Sequence, residues 1–507
     1  MSKNLLLGPL LALEAENTYS VCFLAQGNQC TVKINNKDLA AIKTAETRSG
    51  DFWRIELDIK AEASGRKIPY EIMIDGEKAK DANSREHWEF YIPGTNERPK
   101  LIYASCNGFS TFDLLKNAEN PYNLWEELIK AHTKNPYALL MMGGDQVYAD
   151  ELWTAVDGLK EWVGLKYNAQ ITALPSPSLI SELDKFFEKL YLHQWNQEVV
   201  SLALASIPTV MMWDDHDIFD GWGSYPGKIQ NCAVYKEIFA AAKKHFEIFQ
   251  MRKRPAERLL NPGNSDCYFI HYRQYTILAL DHRSQRSLEQ VMGDQQWDAF
   301  IKFLKEVELR KTLLVLSAVP IVYRDFGAIE TGFGLSPWNE ELTDDLKDHW
   351  RAKEHQGERL RFIQQLLSEL KKRTERHLNI PEQNADDWHF SGAARTVILS
   401  GDVHVGALGV IMDRREKTPI KVHQVISSGI VHPSPTALQW AGILAVTNDR
   451  NEYLNEDKTV EAAMLKPIGS NQYIRARNYT TIQEGTDKKL WINWCNESND
   501  KAEYPLE

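Results

Sequence analysis

The sequence predicts a mixed α/β fold, with a small all-β portion ahead of a larger α/β core, and three observations carry that reading. Residues 17–92 break into short, partly alternating apolar runs separated by Gly, Asn and Asp, the pattern of antiparallel strands and their turns. From Lys100 onward, apolar runs of strand length alternate with long stretches of helical period, as in an α/β core. Six of those runs stop abruptly at polar residues, and the carboxyl ends of strands are where loops converge and sites assemble. At 507 residues the chain suits one large domain and a smaller one.

Taken in order, the N-terminal MSKNLLLGPLLALEAENTYS is a short apolar stretch broken by Gly8 and Pro9, without the apolar core and cleavage site of a signal peptide. Runs at 19–25, 29–34, 52–59, 67–74 and 87–92 then suit a small antiparallel sandwich. It holds no cluster of catalytic residue types and is read as an accessory domain, residues 1–98, with Pro93, Gly94, Asn96 and Pro99 marking its boundary. The catalytic portion is assigned to 99–499 and a tail to 500–507. Its strands at 100–105, 138–142, 209–213, 275–280, 396–400 and 422–426 lead into Cys106, Asp145, Asp214, Asp281, Asp402 and the pair Ser427 and Ser428. Helical spacing runs over 183–206 and 357–377. Residues 324–390 form a long excursion whose Trp338, Trp350 and Trp388 either pack or shape a pocket over the site. A helix-like segment follows Ser434, and runs at 479–483 and 489–494 close the sheet.

A formal charge of −11 with only short basic clusters argues against a nucleic-acid polymer as partner. Six cysteines make no disulfide framework, although Cys22 and Cys30 could face each other across a hairpin; free thiols in a reducing compartment, and so the cytoplasm, are expected. No window of about 18 uncharged apolar residues occurs, so no membrane span is expected. Oligomeric state is not legible.

The stretch TVMMWDDHDIFDGWGSYP, residues 209–226, organises the rest. A buried-strand pattern ends in Asp214, Asp215, His216 and Asp217. Bare charges cost several kcal/mol each to bury, so cations or solvent must meet them. A solvated acidic turn is the plain alternative; a hard metal ion is the simplest partner. GGDQVYAD places Asp145 after a glycine pair, with Tyr148 three residues on and Asp150 five. SGDVHVG places Asp402 and His404 two apart, on one side of extended backbone. With Cys106, these are carboxylates for hard cations, imidazole for divalent transition ions, and thiolate or phenolate for ferric iron. A carboxylate held between two ions is what a binuclear site requires.

The ordered set SCNG (105–108), GGDQVYAD (143–150), WDDHDIFD (213–220), LDHRSQR (280–286), SGDVHVG (400–406) and SSG (427–429) resembles the PhoD-like alkaline phosphatases of the metallophosphoesterase superfamily. The match spans about residues 100–495, and the N-terminal portion is similar to the accessory sandwich of that family. The resemblance implies a four-layered α/β/β/α sandwich with two metals at the strand ends. By motif, Cys106, Asp145, Tyr148 and Asp402 would hold Fe³⁺, with Asp145 also facing a second divalent ion, Ca²⁺ or else Mg²⁺, Mn²⁺ or Zn²⁺. Asp215 and Asp220 fall where further ligands of the second ion lie, and His404 is a ligand or stands just behind one. His216 would stabilise the transferring phosphoryl group or protonate the leaving oxygen, oriented by Asp214. Arg283 and Arg286 would clamp phosphate oxygens, or tie down Asp281; His432 would reach the substrate or remain a loop histidine.

The implied activity is metal-dependent hydrolysis of small phosphate monoesters, diesters or both. The competing readings are a scaffold that kept the fold without the chemistry, and a nucleotide-directed phosphodiesterase. Metal content separates the first; diester against monoester turnover separates the second.

Overall fold

The computed structural model describes residues 4–35, 37–325, 350, 352–377, 393–498 and 500–507. Trp338 and Trp388 lie outside the described residues. Trp350 is buried with its ring 5.6 Å from that of Phe362, which makes it a packing residue.

Two large sheets face each other. In the first, ten strands run in the order Ala502–Leu506, Leu490–Asn496, Asn478–Glu484, Leu101–Ala104, Leu139–Gly143, Thr209–Met212, Leu5–Ala15, Thr18–Ala25, Asp51–Asp58 and Ile42–Glu46. The second, nine-stranded among the described residues, has at its centre the parallel strands Tyr275–Ala279, Thr312–Ser317, Arg395–Ser400 and Ile420–Ile426. Period-two alternation sorts the side chains into layers. Leu101, Tyr103, Leu139, Met141, Val210 and Met212 join the core shared with the second sheet. Their neighbours Ile102, Ala104, Leu140, Met142 and Met211 turn the other way, onto Trp125, Tyr191, Trp195 and Leu204 of helices Asn123–Lys134, Pro177–Trp195 and Glu198–Ser206. Helices Asp294–Glu306 and Gln356–His377 cover the second sheet, with Phe300 stacked on Phe362 at 5.2 Å. The α/β/β/α layering and the small antiparallel sandwich are both present, the latter closed by a five-stranded sheet containing Cys30–Ile34, Arg66–Ile74 and Trp88–Ile92.

Several local expectations need correction. The apolar stretch around Gly8 and Pro9 is the strand Leu5–Ala15, antiparallel to Thr18–Ala25 and parallel to Thr209–Met212 through Ala12 and Thr209. One layer of the N-terminal sandwich is therefore a continuation of the first large sheet. Residues 500–507 supply the edge strand Ala502–Leu506 rather than a tail. The helical stretch 183–206 is two helices, parted at Asn196 and Gln197. Cys22 and Cys30 are buried free thiols.

The strands that end in candidate site residues run parallel within each sheet, so their carboxyl ends share an edge. The two edges are laced together: the Cys106 carbonyl accepts the Val431 and His432 N–H groups, and the Ser105 hydroxyl donates to the Ser427 carbonyl at 3.0 Å.

Candidate metal centre

The backbone shows where function has shaped this edge. Cys106, Asp145, Asp402 and His404 all hold left-handed φ, +56°, +54°, +72° and +51°. For residues with a Cβ that conformation costs roughly 1–3 kcal/mol each and clusters at functional sites. Gly144, at φ +114°, lets the Asp145 turn approach Asp214, whose Cβ would lie 2.7 Å from any Cβ placed there. Asp217 locks the two turns together, accepting the N–H groups of Gln146, Val147 and Asp214 and the side-chain amide of Gln250 at 2.8–3.1 Å.

Into this frame point two overlapping donor groups. Ligand atoms of Asp145, Asp215 and His216 lie within 4.8 Å of one another, as do those of Asp214, Asp215 and Asp402. The Cys106 thiol donates to Asp145 Oδ2 at 3.2 Å and lies 3.1 Å from the Ser428 hydroxyl. Tyr148 is pressed against Gly108, where a Cβ would come within 2.4 Å of its ring. Burial, and then the charge of Asp214, raises the Asp145 carboxyl well above the carboxylate range; burial and Asp145 do the same to the Cys106 thiol, and burial and Cys106 to the Tyr148 phenol. Asp145 Oδ1, the Tyr148 hydroxyl and His404 Nδ1 are buried with no hydrogen-bond partner among the described residues. Such orphaned acids crowded together are satisfied by a cation, and the mix of thiol, phenol, imidazole and carboxylate fits a ferric ion beside a divalent one.

The imidazole of His216 is set by Asp150. Its Nδ1 donates to Asp150 Oδ2 at 2.8 Å, while Asp150 Oδ1 accepts the Asp220 N–H at 2.8 Å. Burial opposes charge on His216, but Asp150 and Asp215 outweigh it and hold its pKa well above the usual value. The orienting role expected of Asp214 thus belongs to Asp150. Asp214 is instead gripped by the Arg283 guanidinium, which also reaches Asp215 Oδ1 at 3.3 Å and the Trp222 carbonyl at 3.0 Å. Arg283 meets Asp281 through its backbone, whose N–H donates to Asp281 Oδ1 at 3.1 Å. Its side chain is fully buried on the two carboxylates, and Asp281 also accepts the N–H groups of Ser284 and Asp266 and the Trp213 indole.

The remaining candidates divide. His432 belongs to the site: its ring stacks on His404 at 3.7 Å and lies 5.5 Å from that of Tyr148. With Nδ1 against the Pro433 carbonyl at 3.0 Å, that nitrogen must donate, so Nε2 accepts from the Ser110 hydroxyl at 3.2 Å. Burial and the neighbouring His216 hold His432 down to about 3, and burial and His432 lower His404 likewise. Arg286 is buried with its stem against Gly223. The Asp220 carboxylate is in neither donor group; its main chain serves instead, donating to Asp150 and accepting the Tyr225 hydroxyl. The bracing by Asp217 has no linear signature, since its partners span residues 146 to 250.

Residues 83–335 match the family model described as PhoD related phosphatase. The chain belongs to the PhoD-like metallophosphoesterases. The solved structure titled Structure of PhoD superposes on this PhoD-like chain with a TM-score of 0.59 at 13% identity, covering 99% of this chain and 89% of that one. The purple acid phosphatase PPD1 from yellow lupin (Lupinus luteus) seeds gives 0.51 at 12% identity, covering 98% and 74%. These likenesses show a shared fold. The uncharacterized protein YGR266W of Saccharomyces cerevisiae is 25% identical over 452 residues, which include 75% of this chain; the chain spans 59% of the length of that relative. Among the described residues, no helix is long and apolar enough to cross a membrane.

Proposed function

We propose that this chain hydrolyses small phosphate esters, monoesters, diesters or both, at a binuclear metal site. The observation that carries this is the pair of donor groups sharing Asp215, set beside the buried Asp145, Cys106 and Tyr148. Cys106, Asp145, Tyr148 and Asp402 would hold Fe³⁺, and Asp145 with Asp215 a divalent ion, Ca²⁺ or Mg²⁺, Mn²⁺ or Zn²⁺, with His404 beside them. Bound there, the ions supply Lewis-acid polarisation of the phosphoryl group and an acidified water as nucleophile.

The protein's own part is positioning and proton delivery. Asp150 holds His216 Nδ1 in the donor state, which leaves Nε2 for the ester oxygen that departs. Arg283 fixes Asp214 and Asp215 so that both keep their carboxylates aimed at the centre. Tyr148, His432 and His404 form a stacked wall on one side, neutral at both histidines, against which the substrate seats. All six cysteines are free, which suits a reducing compartment such as the cytoplasm.

The test is turnover of a chromogenic phosphomonoester and a chromogenic phosphodiester by the iron- and divalent-loaded protein and its Asp145→Asn variant. Turnover of either ester, abolished in the variant, supports the reading, and the better ester sets the substrate class. A metal-loaded wild type inert toward both esters contradicts it.

A further inference from the structure

Ser427, Ser428 and Gly429 follow the strand Ile420–Ile426 of the second sheet and are pinned by one residue of the first. Asn478, buried at the start of the strand Asn478–Glu484, accepts the Ser427 hydroxyl on Oδ1 at 2.8 Å and donates Nδ2 to the Ser428 carbonyl at 2.9 Å. Its backbone N–H goes to the Gly429 carbonyl at 3.1 Å. So held, the Ser428 side chain stands between two candidate residues of the metal centre. Its hydroxyl oxygen accepts the His404 N–H at 2.9 Å and lies 3.1 Å from Cys106 Sγ. Both neighbours carry left-handed φ, and Ser428 ties them together.

A hydroxyl has one hydrogen to give. The Ser428 oxygen already takes the His404 N–H, and the Cys106 hydrogen goes to Asp145 Oδ2, so the hydrogen between oxygen and sulfur is that of Ser428. The Ser105 hydroxyl, 3.4 Å from the same sulfur, gives its hydrogen to the Ser427 carbonyl at 3.0 Å and has none left for Cys106. When Cys106 gives up its proton to become a ligand, the Ser428 donor stays. Burial and then Asp145 raise the Cys106 thiol above its usual pKa, so a donor aimed at the sulfur favours the thiolate against both. A hydrogen bond to a metal-bound thiolate draws electron density off the sulfur, which raises the reduction potential of the ion and leaves it the stronger Lewis acid. We propose that Ser428 donates to the Cys106 thiolate and so tunes the ferric ion that Cys106 would hold, with Asn478 fixing its orientation. This deepens the metal-centre reading and rests on it.

The full-length protein, loaded with iron and a divalent ion, is measured by visible absorption and by redox titration as wild type, Ser428→Ala, Ser428→Thr and Ser105→Ala. The sulfur-to-iron charge-transfer band is the one that Cys106→Ser removes. Loss of the donated hydrogen bond raises the sulfur lone pair in energy, so Ser428→Ala is expected to move that band to longer wavelength and to lower the midpoint potential of the iron. Ser428→Thr keeps the hydroxyl and should return both toward wild type. Ser105→Ala loosens the same loop without touching the donor and should leave both in place. A band and a potential unmoved in Ser428→Ala overturn the proposal, as does an equal shift in Ser105→Ala, which would make the effect a loosening of the loop. Where Ser428→Ala fails to retain iron, the Fe–S stretch of the wild type in resonance Raman decides: it shifts in deuterated water when the hydroxyl donates, and an unshifted stretch overturns the proposal. A wild type that holds no iron, or holds it without a band that depends on Cys106, fails the metal-centre reading itself and this proposal with it.

Discussion

Asp150 divides its two carboxylate oxygens between the imidazole of His216 and the backbone of Asp220, and so fixes that imidazole to the turn that carries it. Replacing it by Asn keeps the shape but removes the charge that favours imidazolium. Partners of this kind typically carry 10- to 100-fold effects, so Asp150→Asn should lower kcat by about that factor, with metal content and KM little altered. Steady-state kinetics and metal analysis on the same preparation check it; equal loss of metal would instead make Asp150 a support of the ligands. Much of the centre is legible in sequence because its acids follow strand-ending apolar runs, as Asp145, Asp214 and Asp402 do. What was not legible is which acid serves which base. Asp214 is adjacent to Asp215 and His216 in sequence yet faces Arg283, while Asp150 lies 66 residues from His216 and meets it. Side-chain direction at a strand end depends on the turn that follows, and the left-handed φ at Asp145, Asp402 and His404 falls on residues other than glycine.

Among the elements, the strand Leu5–Ala15 is held by a buried ion cluster. Glu14 accepts Arg54 and Arg254 at 2.8 Å each and the Ser20 hydroxyl at 2.6 Å. Burial works against its charge, but Arg254 and Arg54 outweigh it and bring its carboxyl down to about 2. A pKa lowered on folding stabilises above the unfolded value of 4.5, and that contribution is lost as pH falls toward 2. Glu14→Gln leaves two buried guanidinium groups without their carboxylate. Its expected cost at pH 7 is about 3 kcal/mol, with a flatter dependence of stability on pH between 4.5 and 2. Urea denaturation across that pH range measures both; an unchanged acid limb would remove Glu14 from the cause. This strand was hidden in the sequence because Gly8 and Pro9 interrupt its apolar run, and Glu14 reads as a surface residue until Arg54 of the strand Asp51–Asp58 and Arg254 of the loop after the helix Ala233–Phe249 are brought to it. The sandwich strands around residues 19–25 and 67–74 were legible, since alternation and turn residues are local signals.

Over the whole molecule, the N-terminal sandwich and the α/β core share one sheet, so the boundary near residue 98 marks a change of pattern and not a seam. Cutting there exposes the edge of Thr209–Met212, strips the Leu11 carbonyl from the Thr209 hydroxyl, and removes Glu14 from Arg254. A chain of residues 99–507 is therefore expected to be insoluble or unfolded by circular dichroism, whereas a separable accessory domain would leave it folded. The framework all this supports exists to bring acids from two sheets onto one centre. Counting metal therefore tests it at the root. Purified protein reconstituted with iron and a divalent ion, then dialysed and analysed by mass spectrometry, should retain about two metal equivalents per chain, and Asp145→Asn should lose most of both. A wild type that keeps almost no metal, or a variant that keeps its full complement, would contradict the binuclear centre.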